Sequence, residues 1–412
     1  MNYIERELES QIVSRMDSSK ALFILGARQV GKTTLLKRLM ELVGAERSLY
    51  YDLEIPANLE LFSGTFESVV TRLRFDRRED KGKTYVFLDE IQYLYDFSQT
   101  VKILVDHYAE EFKFVMTGSS SLLIKHQFSE SLAGRKEIVV LHPLSFAEFC
   151  LFKNEAKIAD QLGTDLDGGN HPLLTMPARM EELAEEYTIF GGFPGVVIQS
   201  GQKRKIELLN DIVTSYILKD IKHILRIEKL QELNRLIRTL ALSIGKEINI
   251  SELSRNVGLH RESVQKYLLT LEESFIVSTI RPFYSRLDKE LRKMPKVYLQ
   301  DTGIRNMLVN DFSALNGRRD RGELVENVFF LGLLKNQELT TRIRYWKTKQ
   351  GNEVDFVVTE GDSITAYEVK YGSDRSNHFS SFLNAYPHAR CFTVRHKYKY
   401  KQAELPLWYR IT

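Results

Sequence analysis

An apolar strand, a glycine-rich loop and a helix follow one another near the N-terminus of this 412-residue chain. The apolar run Ala21–Leu25 leads into Gly-Ala-Arg-Gln-Val-Gly-Lys-Thr, which fits the phosphate-loop pattern G-x-x-x-x-G-K-[ST], and Thr33–Met40 has helical character. In this setting the loop amides and the helix N-terminus face phosphate groups, because both present unpaired N–H groups to an anion. The order therefore predicts a nucleotide site on a parallel α/β sheet.

Each residue of the loop has an expected contact with the nucleotide. Lys32 is expected to reach the outer phosphates, and the Thr33 hydroxyl to hold Mg²⁺. The predicted nucleotide-binding residues are Gly26, Ala27, Arg28, Gln29, Val30, Gly31, Lys32, Thr33 and Thr34. The sequence identifies no base pocket, although Arg6 is a candidate for lining one.

A second apolar strand, Tyr85–Leu88, ends in the carboxylates Asp89 and Glu90. Ligands bind at the carboxyl edge of open parallel sheets, where these side chains are expected. Asp89 would hold Mg²⁺ directly or through water, and Glu90 would polarise the water that attacks the γ-phosphate. An acidic pair after a strand is usually a solvated loop, so the phosphate loop upstream is what favours the catalytic interpretation.

A third apolar strand, Phe112–Met116, is followed by Thr117-Gly118-Ser119. Small hydroxyl residues at this place could contact the γ-phosphate or orient the water, with Ser119 favoured over Thr117. Capping of the next helix explains the same composition.

Charge and cysteine content narrow the class of protein. Lys plus Arg is 58 and Asp plus Glu is 55, a net charge of only +3, so any nucleic-acid contact must come from a local patch. Cys150 and Cys391 are isolated, which favours a reducing compartment. The charged N-terminus lacks a signal-peptide core, and no apolar stretch approaches the ~18 residues of a membrane span. We expect a cytoplasmic protein without a membrane partner.

Five segments together resemble the prokaryotic AAA-type P-loop ATPases that carry a C-terminal domain of unknown function. They are Gly26–Leu36, Leu88–Gln92, Thr117–Ser119, Leu132–Arg135 and Gly191–Pro194. The resemblance spans nearly the whole chain. It implies ATP as ligand, five parallel strands with helices on both faces, and a small helical lid that contains Gly191–Pro194.

The resemblance also implies a role for Arg135. In AAA proteins this position often carries an arginine that reaches the γ-phosphate of a neighbouring subunit, which would make the chain a homo-oligomer. Alternatively, Arg135 pairs with a local carboxylate such as Glu130 or Glu137.

A helix, a short glycine-containing turn and a second helix follow in Ile250–Val257, Gly258–Arg261 and Glu262–Glu272. This is the helix-turn-helix layout, and the strands Phe275–Ile280 and Lys296–Leu299 would add a wing. We therefore predict a winged-helix domain.

In a DNA reader the second helix enters the major groove. The candidate contacts are His260, Arg261, Ser263, Gln265 and Lys266. The linker from Arg281 to Lys296 adds six basic residues against two acidic ones, which suits phosphate contacts but also a solvated linker. The basic residues are Arg281, Arg286, Lys289, Arg292, Lys293 and Lys296. The acidic pair Glu272-Glu273 speaks against DNA, and winged helices often serve only to pack between domains.

The C-terminal region carries a possible second chemistry. Strands are predicted at Asn352–Val358 and Ala366–Lys370, and an amphipathic helix at Gly322–Leu333. The order helix acid, strand Asp, then Glu-x-Lys resembles the PD-(D/E)xK nuclease core. Its candidate residues are Glu326, with Glu323 as the other helix acid, Asp355, Glu368 and Lys370. Two carboxylates would bind a second divalent metal, Mg²⁺ or Mn²⁺, while Lys370 orients or deprotonates water. A domain can also keep such residues and act only as a docking surface.

The sequence thus predicts an α/β protein: a P-loop NTPase sheet with a helical lid, a winged-helix domain and an α/β restriction-endonuclease-like C-terminal domain. The expected boundaries are 1–150 for the ATPase core, 151–229 for the lid, 230–300 for the winged helix and 301–412 for the nuclease-like domain. The expected activity is Mg²⁺-dependent ATP hydrolysis by a protein that acts on DNA. The alternative is a nucleotide-controlled switch that binds a protein partner and carries an inactive nuclease-like tail.

Overall fold

A computed structural model of the chain describes ten ranges of residues. They are 3–78, 82–94, 98–119, 132–162, 177–215, 230–284, 293–338, 340–372, 379–396 and 404–407. Glu130 and the linker residues Arg286, Lys289 and Arg292 lie outside these ranges. The chain forms two compact units, one of Met1–His142 with Glu273–Phe275 and one of Pro143–Glu272 with Ile276–Thr412.

The first unit is built on a five-stranded sheet. Its strands are β1 (Ala21–Leu25), β2 (Ser48–Asp52), β3 (Thr84–Asp89), β4 (Phe112–Gly118) and β5 (Lys136–Val140). They lie in the order β2-β3-β4-β1-β5, and all these pairings are parallel. The five parallel strands that the resemblance implied are confirmed. Strands β1, β3 and β4 are buried along their whole length, which is why their sequences are mostly apolar, although β4 contains the buried Lys113.

Helices connect these strands. They are α1 (Glu9–Val13), α2 (Lys32–Val43), α3 (Pro56–Phe62), α4 (Phe66–Asp76) and α5 (Ser98–Tyr108), with short 3-10 helices at Ala45–Arg47 and Ile91–Tyr93. Helix α2 begins directly after the glycine-rich loop, so the predicted strand, loop and helix are in place.

The second unit begins with helices. They are α6 (Phe146–Phe152), α7 (Ala156–Leu162), α8 (Pro177–Phe190), α9 (Pro194–Val197), α10 (Gln202–Ile212), α11 (Leu230–Leu242), α12 (Ile250–Val257) and α13 (Arg261–Glu273). The antiparallel strands β6 (Val277–Ile280) and β7 (Lys296–Leu299) follow. The strand predicted to start at Phe275 begins two residues later, because Phe275 has a φ of 56°, outside the extended region.

The C-terminal part of this unit contains α14 (Thr302–Val309), a 3-10 helix at Leu315–Gly317, α15 (Arg321–Lys335) and α16 (Phe379–Ala385). Its strands are β8 (Arg342–Lys347), β9 (Glu353–Glu360), β10 (Ser363–Lys370), β11 (Arg390–Arg395) and β12 (Glu404–Pro406). They form one mixed sheet in the order β12-β11-β10-β9-β8, and α15 packs on β10. The predicted helix and strands of the C-terminal region are therefore present, each longer than expected.

The segment Gly191–Pro194 is fixed by a buried carboxylate. The Gly192 N–H donates to Asp301 Oδ2 at 2.7 Å, and Asp301 Oδ1 accepts from the Ile304 N–H at 2.9 Å at the start of α14. Gly191 has a φ of +74°, and a Cβ there would lie 2.2 Å from Asp301 Oδ1. Glycine is therefore needed at this position for both its conformation and its lack of a side chain.

Candidate nucleotide-binding site

The glycine-rich loop passes close to the chain that follows β5. A Cβ at Gly26 would lie 2.2 Å from the Leu141 carbonyl oxygen, so only glycine allows this approach. On its other side the loop contacts Arg6, whose guanidinium donates to the carbonyl oxygens of Val30 and His142, both at 2.9 Å. Arg6 is buried, and its guanidinium supports the backbone of the loop.

Lys32 lies at the start of α2 and is only 5% exposed. Its ammonium donates to the carbonyl oxygens of Gly26 and Ala27 at 3.1 and 3.0 Å. Burial lowers the pKa of Lys32, while the nearby carboxylates of Glu90 and Asp89 act in the opposite direction. The loop carbonyls thus hold the ammonium where phosphate oxygens could replace them.

Asp89 is the centre of a hydrogen-bond network at the carboxyl edge of the sheet. Its Oδ2 accepts from the Thr33 hydroxyl at 2.7 Å and from the Tyr50 hydroxyl at 3.1 Å, and its Oδ1 accepts from the Thr117 hydroxyl. Asp89 is 2% exposed. Hydroxyl and carboxylate oxygens are the ligands that Mg²⁺ prefers, so the contact between Thr33 and Asp89 fits this ion.

Glu90 follows Asp89 with a left-handed backbone, at a φ of 59°. Its N–H donates to the Thr117 hydroxyl oxygen at 3.1 Å, and its carboxylate accepts from the Gln92 amide. The Gln92 amide oxygen in turn accepts from the Ser119 N–H at 3.2 Å. The structure therefore brings together the predicted residues Asp89, Glu90 and Ser119.

Three residues of this network were not among the predicted site residues. Thr117 was ranked below Ser119, yet its hydroxyl joins Asp89 to Glu90. Gln92 was only part of a matching segment, and Tyr50 was not considered. The segment Leu88–Gln92 could have drawn attention to Gln92. Nothing in the sequence places Tyr50 beside Asp89, because the pairing of β2 with β3 decides which residues are neighbours there.

Arg135 lies just before β5, and its described hydrogen bonds are with Asp106 and the Ala133 carbonyl, not with the residues around Asp89. Its guanidinium pairs with Asp106 of α5, and its side chain is 36% exposed. The carboxylate of Glu137, one of the expected partners, instead accepts from the Ser18 hydroxyl at 3.1 Å. The local-pair interpretation thus has a partner that the sequence did not suggest.

The candidate DNA contacts lie on or just before α13. His260, Arg261, Gln265 and Lys266 are exposed, and Ser263 is half-buried. Asn249 caps α12 and Gly258 ends it in a left-handed conformation, as the predicted helix-turn-helix requires. Lys296 does not belong to a basic surface: it is 2% exposed, and its ammonium is paired with the half-buried carboxylates of Glu326 and Glu353.

The candidate nuclease residues lie on α15, β9 and β10. Asp355 Oδ2 accepts from the Val369 N–H at 2.8 Å, and Glu368 pairs with Lys370 at 2.8 Å. Glu326 accepts from the Tyr298 hydroxyl at 2.6 Å. Burial raises the pKa of both Glu326 and Asp355, against the effect of the Lys296 ammonium. Across the described ranges, no three His, Cys, Asp or Glu side chains are arranged to hold a metal ion.

Comparison with protein families matches three parts of the chain. Residues 18–150 match an AAA domain, residues 181–316 a domain of unknown function (DUF8612), and residues 321–408 a domain of unknown function (DUF4143). Residues 18–150 are thus similar to an AAA domain, and residues 321–408 are similar to a C-terminal domain of the DUF4143 type.

Relatives from three organisms align over most of their length. An uncharacterized protein of Haemophilus influenzae is 24% identical over 98% of this chain and 94% of its own. An uncharacterized protein of Methanocaldococcus jannaschii is 23% identical over 91% of this chain and 79% of its own length. One of Mycobacterium tuberculosis is 26% identical over 90% of this chain and 75% of its own length. The similarity to these relatives therefore extends over most of this chain.

Solved structures give only a distant likeness. Cdc6p from Pyrobaculum aerophilum aligns at 15% identity and a TM-score of 0.29, over 76% of this chain and 97% of its own. PCH-2 from C. elegans aligns at 15% identity and a TM-score of 0.29, over 50% of this chain and 59% of its own. Neither score is high enough to support an argument about this protein. Among the described helices, none is both long and apolar enough to cross a membrane.

Proposed function

We propose that the first unit binds ATP with Mg²⁺ and hydrolyses it. The observation that carries this proposal is the network around Asp89, in which the Thr33 hydroxyl at the start of α2 donates to the carboxylate at the end of β3. A phosphate loop and an acidic strand end that contact each other in this way are the two halves of a P-loop nucleotide site.

Each residue of the site has a role in this proposal. The loop amides and Lys32 bind the phosphates, and Thr33 with Asp89 would hold Mg²⁺, which when bound neutralises phosphate charge. Glu90 orients the attacking water and accepts its proton. Thr117 donates to Asp89 and accepts from the Glu90 N–H, so it positions both carboxylate residues.

Phosphate release from ATP tests the proposal. Glu90→Gln keeps the size of the side chain but removes the base, so we expect kcat to fall by about 10² or more with the KM for ATP within about threefold of wild type. Glu60→Gln, on the exposed side of α3, is the matched control and should leave both constants unchanged. Wild-type turnover by the Glu90→Gln protein would contradict the assignment.

We further propose that α13 contacts DNA and that ATP changes this contact. The support is the exposure of four of its five candidate residues, including the cations Arg261 and Lys266. The alternative is a nucleotide-controlled switch whose second unit binds a protein. The domain boundaries, the winged-helix assignment and a homo-oligomer that uses Arg135 remain parts of the same proposal.

Binding of duplex DNA over a series of salt concentrations separates these functions. Removing two phosphate contacts with Arg261→Ala plus Lys266→Ala should weaken binding and reduce the salt slope by about two. Lys203→Ala plus Arg204→Ala removes the same charges from exposed positions on α10 and serves as the control. If the wild-type protein shows no salt-dependent binding, with or without ATP, the DNA proposal is wrong and the protein-binding switch is favoured.

A further inference from the structure

The acidic cluster of the C-terminal domain already contains a cation. Lys296 of β7 places its ammonium 2.5 Å from Glu353 Oε1 and 3.5 Å from Glu326 Oε1, and its side chain is buried. The ammonium also lies over the ring of Tyr345, 5.4 Å from its centroid. A lysine in this environment is held by charge on one side and by an aromatic face on the other.

The helix acid is enclosed by the polypeptide. Glu326 Oε1 accepts from the Tyr298 hydroxyl at 2.6 Å, and a Cβ at Gly245 would lie 3.2 Å from both carboxylate oxygens. Gly245 is itself fixed, because its N–H donates to the Val297 carbonyl at 2.9 Å. Backbone at residue 245 and the side chains of β7 therefore occupy the space around this carboxylate.

The remaining acids of the cluster have partners of their own. Glu353 pairs through its second oxygen with Lys347 at 3.1 Å, and Lys347 also pairs with Glu247 at 2.7 Å. Asp355 accepts from the Val369 N–H, and Glu368 pairs with Lys370. The lysine that a nuclease would use on water is thus engaged with the neighbouring carboxylate.

Buried carboxylates require a compensating positive charge, and removal of one partner from such a group is strongly unfavourable. In a nuclease core a divalent metal supplies that charge. In this domain the Lys296 ammonium supplies the positive charge, and the pairing of β7 with β6 fixes the backbone at Lys296. The residues present therefore do not fit a divalent metal, because the Lys296 ammonium and the backbone at Gly245 occupy the space beside the Glu326 carboxylate that the metal would need.

We propose that Lys296 is the resident cation of the cluster formed by Glu326, Glu353 and Asp355. The C-terminal domain therefore binds no divalent metal through Glu326 and Asp355 and does not cut nucleic acid there. The cluster instead joins β7 to α15 and β9. This inference is independent of whether the first unit hydrolyses ATP.

Titration of the full-length, nucleotide-free protein with Mn²⁺, followed by electron paramagnetic resonance, tests the inference. The protein carries Asp89→Asn, so that the phosphate-loop site does not contribute. We expect no saturable Mn²⁺ site up to millimolar concentration, and supercoiled DNA should stay intact with Mg²⁺ or Mn²⁺. A saturable site that Glu326→Gln and Asp355→Asn both abolish would overturn the inference, as would DNA cleavage that these substitutions abolish.

Thermal unfolding of Lys296 variants provides a second test. Lys296→Met leaves the half-buried carboxylates of the cluster without their cation, so it should lower the Tm by several degrees. Adding Glu326→Gln to the same chain should restore part of that loss, because one buried negative charge is removed. Equal stability of Lys296→Met and wild type, or no restoration in the double variant, would contradict the proposal. If Lys296→Met does not fold, the Mn²⁺ titration of the Lys296-containing protein still decides.

Discussion

Asp89 is the residue on which the candidate site depends most. Three hydroxyl groups, from Thr33, Tyr50 and Thr117, donate to its carboxylate, and they come from a helix and from the strands on either side of β3. A carboxylate that accepts hydrogen bonds from three donors is held in one orientation. The orientation of the Asp89 side chain at the carboxyl edge of the sheet is thus set by its neighbours.

Thr117 and Ser119 make a matched pair for testing this network. Thr117→Val keeps the shape of the side chain but removes the hydroxyl, which leaves the Glu90 N–H without this acceptor and removes one of the three donors to Asp89. We expect a loss of about 1–3 kcal/mol of transition-state stabilisation, or a kcat lower by about 5- to 150-fold, measured as phosphate release.

Ser119→Ala is the companion variant, because it removes the hydroxyl and keeps the backbone N–H that donates to Gln92. A larger loss in Ser119→Ala than in Thr117→Val would support the ranking that composition favoured. Composition favoured Ser119, but it could not show that Thr117 lies next to Asp89, because the pairing of Leu88 with Met116 decides that position.

At the level of elements, the sequence predicted best where local signals are strong. Strand β1 and helix α12 have the predicted bounds, because one is a continuous apolar run and the other is closed by Asn249 and Gly258. Lys296 shows where such reasoning fails. It was counted with a basic linker, but its carboxylate partners lie 30 and 57 residues further along the chain, beyond the reach of local charge counting.

The hydrogen bond from the Gly192 N–H to Asp301, the residue that caps α14, leads to a prediction about stability. Gly191→Ala would place a Cβ 2.2 Å from Asp301 Oδ1 at a φ of +74°, so it should lower the free energy of unfolding by about 2 kcal/mol or more. Thermal unfolding followed by circular dichroism measures the change.

Gly195→Ala is the control for this substitution. It lies on α9, and no atom comes within 4 Å of an added Cβ. Because alanine favours a helix, the Gly195→Ala protein should be as stable as wild type or up to about 1 kcal/mol more stable. Equal stability of the two variants would show that Asp301 does not fix this segment.

At the scale of the whole molecule, the sequence identified the nucleotide motifs and the C-terminal elements but could not decide what the C-terminal domain does. The order of Glu326, Asp355, Glu368 and Lys370 along the chain is that of a nuclease core. Their pairing in the folded chain points to a domain without metal chemistry, because Lys296 and Lys370 already neutralise the neighbouring acids. Motif order alone cannot reveal such internal partners.

In the proposed mechanism the first unit binds ATP and uses Glu90 to hydrolyse it. A single-turnover experiment with radiolabelled ATP and excess protein tests it most directly, by measuring the bound nucleotide as ATP or ADP over time in wild type and in Glu90→Gln. We predict that wild type converts its bound ATP to ADP, whereas Glu90→Gln retains ATP with similar affinity. Conversion at the same rate in both proteins, or no ATP bound by wild type, would contradict the account.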